Sequence, residues 1–170
     1  MKTKTGIRIR FLTHSALIAA LYVGLTYLAY ALGLDKGVVQ IRFSEALCVL
    51  AALTPAAVPG VTLGCFLSGL LTQAHPVDMI VGSLATLVGV IGCRALRGLL
   101  PRRFAFCLIP LPNILANALV IPWVLSNAYG VTDGYLFLLL TVGLGEIISA
   151  GLLGCLLLTA LKKRAGFLKA

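Results

Sequence analysis

Glu146 stands alone in an apolar run: from Tyr135 to Leu161 no other residue carries a formal charge. A carboxylate inside hydrocarbon costs a few kcal/mol on insertion scales, so it needs a partner or a task. Arg42 and Glu45, three residues apart, and Asp78 open two further apolar runs. Asn113 and Asn117 are four apart and share one face of a helix. Carboxylates accept hydrogen bonds and attract cations, while primary amides donate and accept. Brought together at one depth, these groups would suit a pocket for a small solute. A pore would need polar positions repeated through the full thickness of a membrane, whereas the opposite halves of these runs are uniformly apolar.

The elements that must position them follow from composition. Of 170 residues, 60% are hydrophobic and 11% charged, with a mean hydropathy of +1.06, against about 25% charged in soluble domains. A water-soluble domain is excluded. A membrane helix takes about 20 residues, which leaves room for five or six spans and no separate soluble domain. The expected fold is all-α, a single membrane domain over 1–170 with spans at about 11–32, 43–54, 58–72, 78–96, 106–126 and 135–161. The run from Phe11 to Leu34 holds no charge and ends in no small-residue cleavage site, so it reads as a span rather than a removable signal peptide. Thr54-Pro55-Ala56-Ala57-Val58-Pro59-Gly60 splits the long uncharged run from Ala46 to Val77 into two short opposed helices. Pro110, Pro112 and Pro122 are expected to bend the fifth span.

Orientation follows from the basic residues. With both termini in the cytoplasm, Lys2, Lys4, Arg8, Arg10, Arg94, Arg97, Arg102, Arg103, Lys162, Lys163, Arg164 and Lys169 lie inside, twelve of the 14, and Lys36 and Arg42 join all five acids outside. The net charge of +9, which in a soluble chain would suggest nucleic acid, here sets orientation; no nucleic-acid partner is expected. Tyr27, Tyr30, Trp123, Tyr129 and Tyr135 fall at the outer boundary as an aromatic belt. Counting about 1.5 Å per residue, Glu146 lies roughly 22 Å from Leu161, and Asn117 roughly 20 Å from Phe104, in the outer half of a core about 30 Å thick. Glu45, Asp78, Asn117 and Glu146 thus reach similar depth on four helices, as a solute pocket open to the outside requires.

Plainer roles compete. Arg42 and Glu45 can pair with each other, or Arg42 with Glu146; Asp78 and Asp133 can be helix N-caps; Asn113 can bond carbonyls freed by its neighbouring prolines. His75 reads as an ordinary loop residue. Cys48, Cys65, Cys93, Cys107 and Cys155 sit in apolar runs with no CxxC or Cys/His cluster, so no disulfide framework, metal or cofactor is expected, and no catalytic residue is assigned. An integral membrane enzyme using Glu45, Glu146 and His75 as acid-base groups is an alternative class. Small residues mark two docking stripes: Gly60, Gly64 and Ser68 on the third span, and the pairs Ser15/Ala19 and Ala16/Ala20 on the first, which serve either a partner helix or internal packing.

Six short spans with an early Ala-xxx-Ala pair resemble the substrate-binding S components of energy-coupling factor (ECF) transporters. Three blocks narrow the likeness: Arg42-Phe43-Ser44-Glu45-Ala46-Leu47 running into Leu53–Gly60, then Gly82-Ser83-Leu84-Ala85-Thr86, then Asn117-Ala118 with Val142-Gly143-Leu144-Gly145-Glu146. They resemble the QueT family, and nearly the whole chain is covered. The resemblance implies capture from outside of a queuosine precursor, preQ1 or a related 7-deazaguanine such as queuine, by a subunit of the bacterial plasma membrane. An S component for a different vitamin or purine-like base is the alternative. Glu45, Glu146, Asn117, Asn113, Arg42 and Asp78 would bind substrate, with Tyr30, Phe43, Trp123 or Tyr135 stacking on the base. Relatives tend to carry a Pro-Pro pair where this chain has Pro112-Asn113, and often an aromatic where Val77 stands. Ala16 and Ala20, with Ser15 and Ala19, would dock an ECF T subunit. The chain contains no phosphate loop, so two partner ATPase subunits would hydrolyse ATP, and the loaded S component would topple in the bilayer to deliver its cargo.

Overall fold

A computed structural model describes residues 4–35, 39–99 and 108–162. Lys2, Lys36, Arg102, Arg103, Phe104, Cys107, Lys163, Arg164 and Lys169 lie outside the described residues, as does the start of the fifth expected span. Described elements are α1 (Lys4–Ala31), a 3-10 helix (Phe43–Ala52), α2 (Ala57–Leu71), α3 (Pro76–Leu99), α4 (Leu111–Ala128) and α5 (Tyr135–Glu146), which continues through a π-helical stretch (Ile147–Leu153) into α6 (Gly154–Lys162). Thr5–Ala31, Pro76–Leu99, Leu111–Ala128 and Tyr135–Leu161 are long and apolar enough to cross a membrane; Phe43–Ala52 and Ala57–Leu71 are apolar but shorter. Large apolar side chains such as Leu12, Leu17, Leu84, Val88, Leu136 and Leu140 are exposed around the bundle, the arrangement of a protein whose solvent is lipid.

The expected second span is neither α-helical nor at the periphery. Phe43–Ala52 is a 3-10 helix with every residue from Ser44 to Ala51 buried, and it packs against α1, α2, α3, α6 and the π-helical stretch. The sequence Phe-Ser-Glu-Ala-Leu-Cys-Val-Leu-Ala-Ala is apolar nearly all round, which suits a helix enclosed on every side. Wound as 3-10, ten residues reach about 20 Å, against about 15 Å as an α-helix, so a short segment penetrates further into the bundle. Its ends are tied: Thr26 Oγ1 donates to Ser44 Oγ at 2.8 Å, and Arg94 Nη1 donates to the Ala51 carbonyl at 3.2 Å, a cation on a helix C-terminus.

α1 packs on α2 through the small residues. A β-carbon on Gly60 would stand 2.8 Å from the Ser15 carbonyl oxygen, and one on Gly64 would stand 2.6 Å from Tyr22 Cβ. Ser15 Oγ also donates to the Ala56 carbonyl at 3.0 Å. This corrects half of the docking expectation. Ser15 and Ala19 are buried against α2, whereas Ala16 and Ala20, on the adjoining face, remain exposed. The two pairs lie one residue apart, which on a helix is a rotation of about 100°.

The last rod is held to the body by a buried stripe at helical spacing: Leu138, Thr141, Val142, Gly145, Glu146, Ser149 and Ala150. An unbroken α-helix would continue it at 153 and 157. The buried positions are instead Gly154 and Leu158, because the π-helical stretch inserts the extra residue. Gly154 then lies against Val49 of the 3-10 helix.

Candidate functional site

The 3-10 helix carries Glu45 in its first turn, 1% exposed, into the centre of the bundle. Three donors converge on it. Tyr22 of α1 donates its hydroxyl to Oε1, while on Oε2 the Asn113 amide donates at 2.8 Å and that of Asn117 at 3.5 Å. Their i, i+4 spacing on α4 turns both amides to one side, where they meet the carboxylate. Close contact between α3 and α4 sets the depth: a β-carbon on Gly89 would stand 2.6 Å from Asn113 Cα, and one on Gly92 would stand 2.5 Å from Pro112 Cβ. Asn113 Oδ1 rests against Gly89 and has no hydrogen-bond donor among the described residues.

Glu146, 5% exposed, ends α5 where the π-helical stretch begins. Asn117 faces it as well as Glu45, and the two carboxylates are within electrostatic range of each other. Glu146 Oε2 has no hydrogen-bond partner among the described residues. Glu45, Asn113, Asn117 and Glu146 therefore form one buried polar cluster.

Beside it opens a cavity of about 490 Å³, at the end of the bundle away from the N-terminus. Its walls include Tyr22, Tyr30, Gln40, Arg42, Ser44, Cys65, Asp78 and Tyr129. Glu45 and Glu146 do not line it. The segment from Gln40 to Arg42 comes between: Gln40 and Arg42 face the cavity, the Gln40 carbonyl packs on Gly145, and the Arg42 backbone N–H donates to Ser149 Oγ at 3.0 Å. Among the described residues the Arg42 guanidinium hydrogen-bonds Gln40 Oε1 alone, at 3.4 Å, yet lies within electrostatic range of Asp78, Glu45 and Glu146. Close pairing of Arg42 with Glu45 or Glu146 is thus not what holds either residue.

Asp78 joins the cavity rather than the cluster. It is the third residue of α3, not an N-cap, and its Oδ2 accepts the Tyr129 hydroxyl at 2.9 Å. Tyr129 Oη in turn accepts the His75 backbone N–H at 3.0 Å, and the rings of His75 and Tyr129 meet edge-on at 6.0 Å. Burial raises the Tyr129 phenol, the His75 N–H opposes that, and the neighbouring Asp78 adds to it. His75, read as ordinary, thus belongs to a clasp between the α2–α3 turn and the end of α4. Asp133 is exposed, and the α5 N-cap is Gly134, without a side-chain bond.

Of the expected stacking residues, Tyr30 lines the cavity; Phe43, half-buried, and Trp123, half exposed, do not. Tyr135 donates to the Leu119 carbonyl at 2.6 Å. Sequence reasoning missed Tyr22, Gln40, Ser149 and the clasp role of Tyr129. Tyr22 had a signal, since a phenol deep in the uncharged stretch of α1 requires an acceptor; Ser149 and Gln40 carry none. Among the described residues no group of three His, Cys, Asp or Glu side chains is placed to hold a metal.

The arrangement suits recognition of a small polar solute by buried acceptors and donors. A family model described as QueT transporter matches residues 12–163. Over 73 residues the chain is 41% identical to the queuosine precursor transporter QueT of Lactococcus lactis subsp. cremoris (strain MG1363), a match covering 43% of this chain and 43% of that relative. No solved structure matches the chain. The blocks around Glu45, Asn117 and Glu146 meet in space inside the region that the family model matches, and the chain belongs to the QueT transporter family.

Proposed function

We propose that this multi-pass membrane protein captures a queuosine precursor, preQ1 or a related 7-deazaguanine such as queuine, as the S component of an ECF importer. The observation that carries this reading is a buried carboxylate and amide cluster directly beside a 490 Å³ cavity. A 7-deazaguanine ring presents N–H donors and a carbonyl, which amides answer, and the ammonium arm of preQ1 suits a buried carboxylate. Tyr30 offers the cavity an aromatic face. Six helices then span the bilayer, two of them short, with both termini cytoplasmic and the cavity opening outward. An ECF T subunit and two ATPase subunits supply the energy.

Titration of the purified chain with preQ1, queuine and guanine tests the substrate class. Saturable binding of a deazapurine supports it, and binding of none of them refutes it. Partner docking is tested separately. Ala20→Trp, on the exposed face of α1, is expected to cut uptake at least about tenfold while leaving ligand binding unchanged, because an interface built on small residues excludes an indole. Ser15→Trp on the face packed against α2 should instead lower the thermal midpoint. Equal effects of both on stability would refute the division of faces.

A further inference from the structure

The two buried glutamates are not equivalent, and the difference, which rests on the functional reading above, assigns their roles. Glu45 is occupied by donors from Tyr22, Asn113 and Asn117 on two helices. Glu146 shares only Asn117 with it, and among the described residues its Oε2 has no donor at 5% exposure. An ionisable group left unsatisfied at such burial is costly without a positive counterpart. The cation in range is Arg42, which Asp78 and Glu45 share with Glu146; among the described residues its guanidinium hydrogen-bonds Gln40 Oε1 alone, at 3.4 Å, and it lines the cavity. It sits on the segment that packs across Gly145 and Ser149 and separates the cavity from Glu146.

We propose that Glu146 is the carboxylate that meets the ligand, receiving its cationic nitrogen in the place of Arg42, while Glu45 is a positioning residue that touches no ligand and fixes the amides of Asn113 and Asn117. A ligand with an ammonium arm restores the balance that Arg42 gives up; the same ring without the arm does not.

The test is titration of the full-length protein in lipid nanodiscs with 7-aminomethyl-7-deazaguanine and with 7-deazaguanine, which lacks the arm. Wild type is expected to prefer the armed ligand. Glu146→Gln should weaken the armed ligand by about 10- to 100-fold, the size of one charge-assisted hydrogen bond, and the bare ring by less than about threefold. Glu45→Gln, and Tyr22→Phe as a variant that keeps the carboxylate, should weaken both ligands by the same factor and leave the preference intact. Arg42→Gln should tighten the armed ligand relative to the ring. If Glu146→Gln does not fold, Glu146→Asp, one methylene shorter, must reduce the preference in the same direction. Loss of the preference in Glu45→Gln but not in the Glu146 variants overturns the assignment, as does selective weakening of the armed ligand by Arg42→Gln. Wild type binding neither ligand overturns the functional reading itself, and this assignment with it.

Discussion

Glu45→Ala is expected to leave little folded protein. Truncation strips the acceptor from the Tyr22 hydroxyl and from the Asn113 and Asn117 amides, all at 2% exposure or less. Each buried donor left without an acceptor costs about 1–3 kcal/mol, in a fold whose total stability is on the order of 5–15 kcal/mol. The 3-10 helix that carries Glu45 packs against most of the bundle, so the loss spreads to α1 and α4 together. Glu45→Gln preserves the shape and one acceptor oxygen and should retain most of the fold. Thermal melting of both variants in detergent decides the matter: an alanine variant within a few degrees of wild type would show that the carboxylate does not organise the core.

The second large effect is expected from a residue that carries no chemistry. A β-carbon on Gly145 would overlap the Gln40 carbonyl oxygen and stand 3.0 Å from its carbon. Backbone cannot rotate aside as a side chain can, so Gly145→Val must lift the segment from Gln40 to Arg42 off α5. That movement breaks the bond from the Arg42 N–H to Ser149 and displaces a cavity wall. Overpacking costs about 1–3 kcal/mol, tolerable for folding, but ligand binding should fall by at least about 100-fold, which corresponds to 2.7 kcal/mol or more. Gly143→Ala, two residues away, meets only Ala118 Cβ at an ordinary 3.7 Å and should bind like wild type. A calorimetric titration of both variants is the check, and equal affinities would refute the role of the contact.

Features set by short-range pattern were legible before any coordinate. The expected break falls where the 3-10 helix ends and α2 begins, with Pro55 in the gap and Pro59 in the first turn of α2, since proline removes a donor and fixes φ wherever it stands. The apolar runs predicted the long helices, because about 20 residues are needed to cross hydrocarbon whatever they pack against. Glu45, Asn113, Asn117 and Glu146 stood out because a polar group in such a run demands a partner.

Which partner each one found was not legible. Asp78 shares the depth expected of Glu45 yet bonds Tyr129 at the cavity rim, and Tyr22 and Ser149 attracted no notice until helices 23 to 107 residues away in the chain were folded against them. The winding of Phe43–Ala52 as 3-10, the π-helical insertion after Glu146 and the division of Ser15/Ala19 from Ala16/Ala20 belong to the same group. The sequence by itself determined a helical membrane protein, where its chain breaks, and which side chains could not be left alone in lipid. Only the tertiary structure decided how far each helix turns about its axis and which neighbours it meets, because a rotation of about 100° per residue moves a side chain from one neighbour to another, and that angle is set by glycines and side chains on other helices.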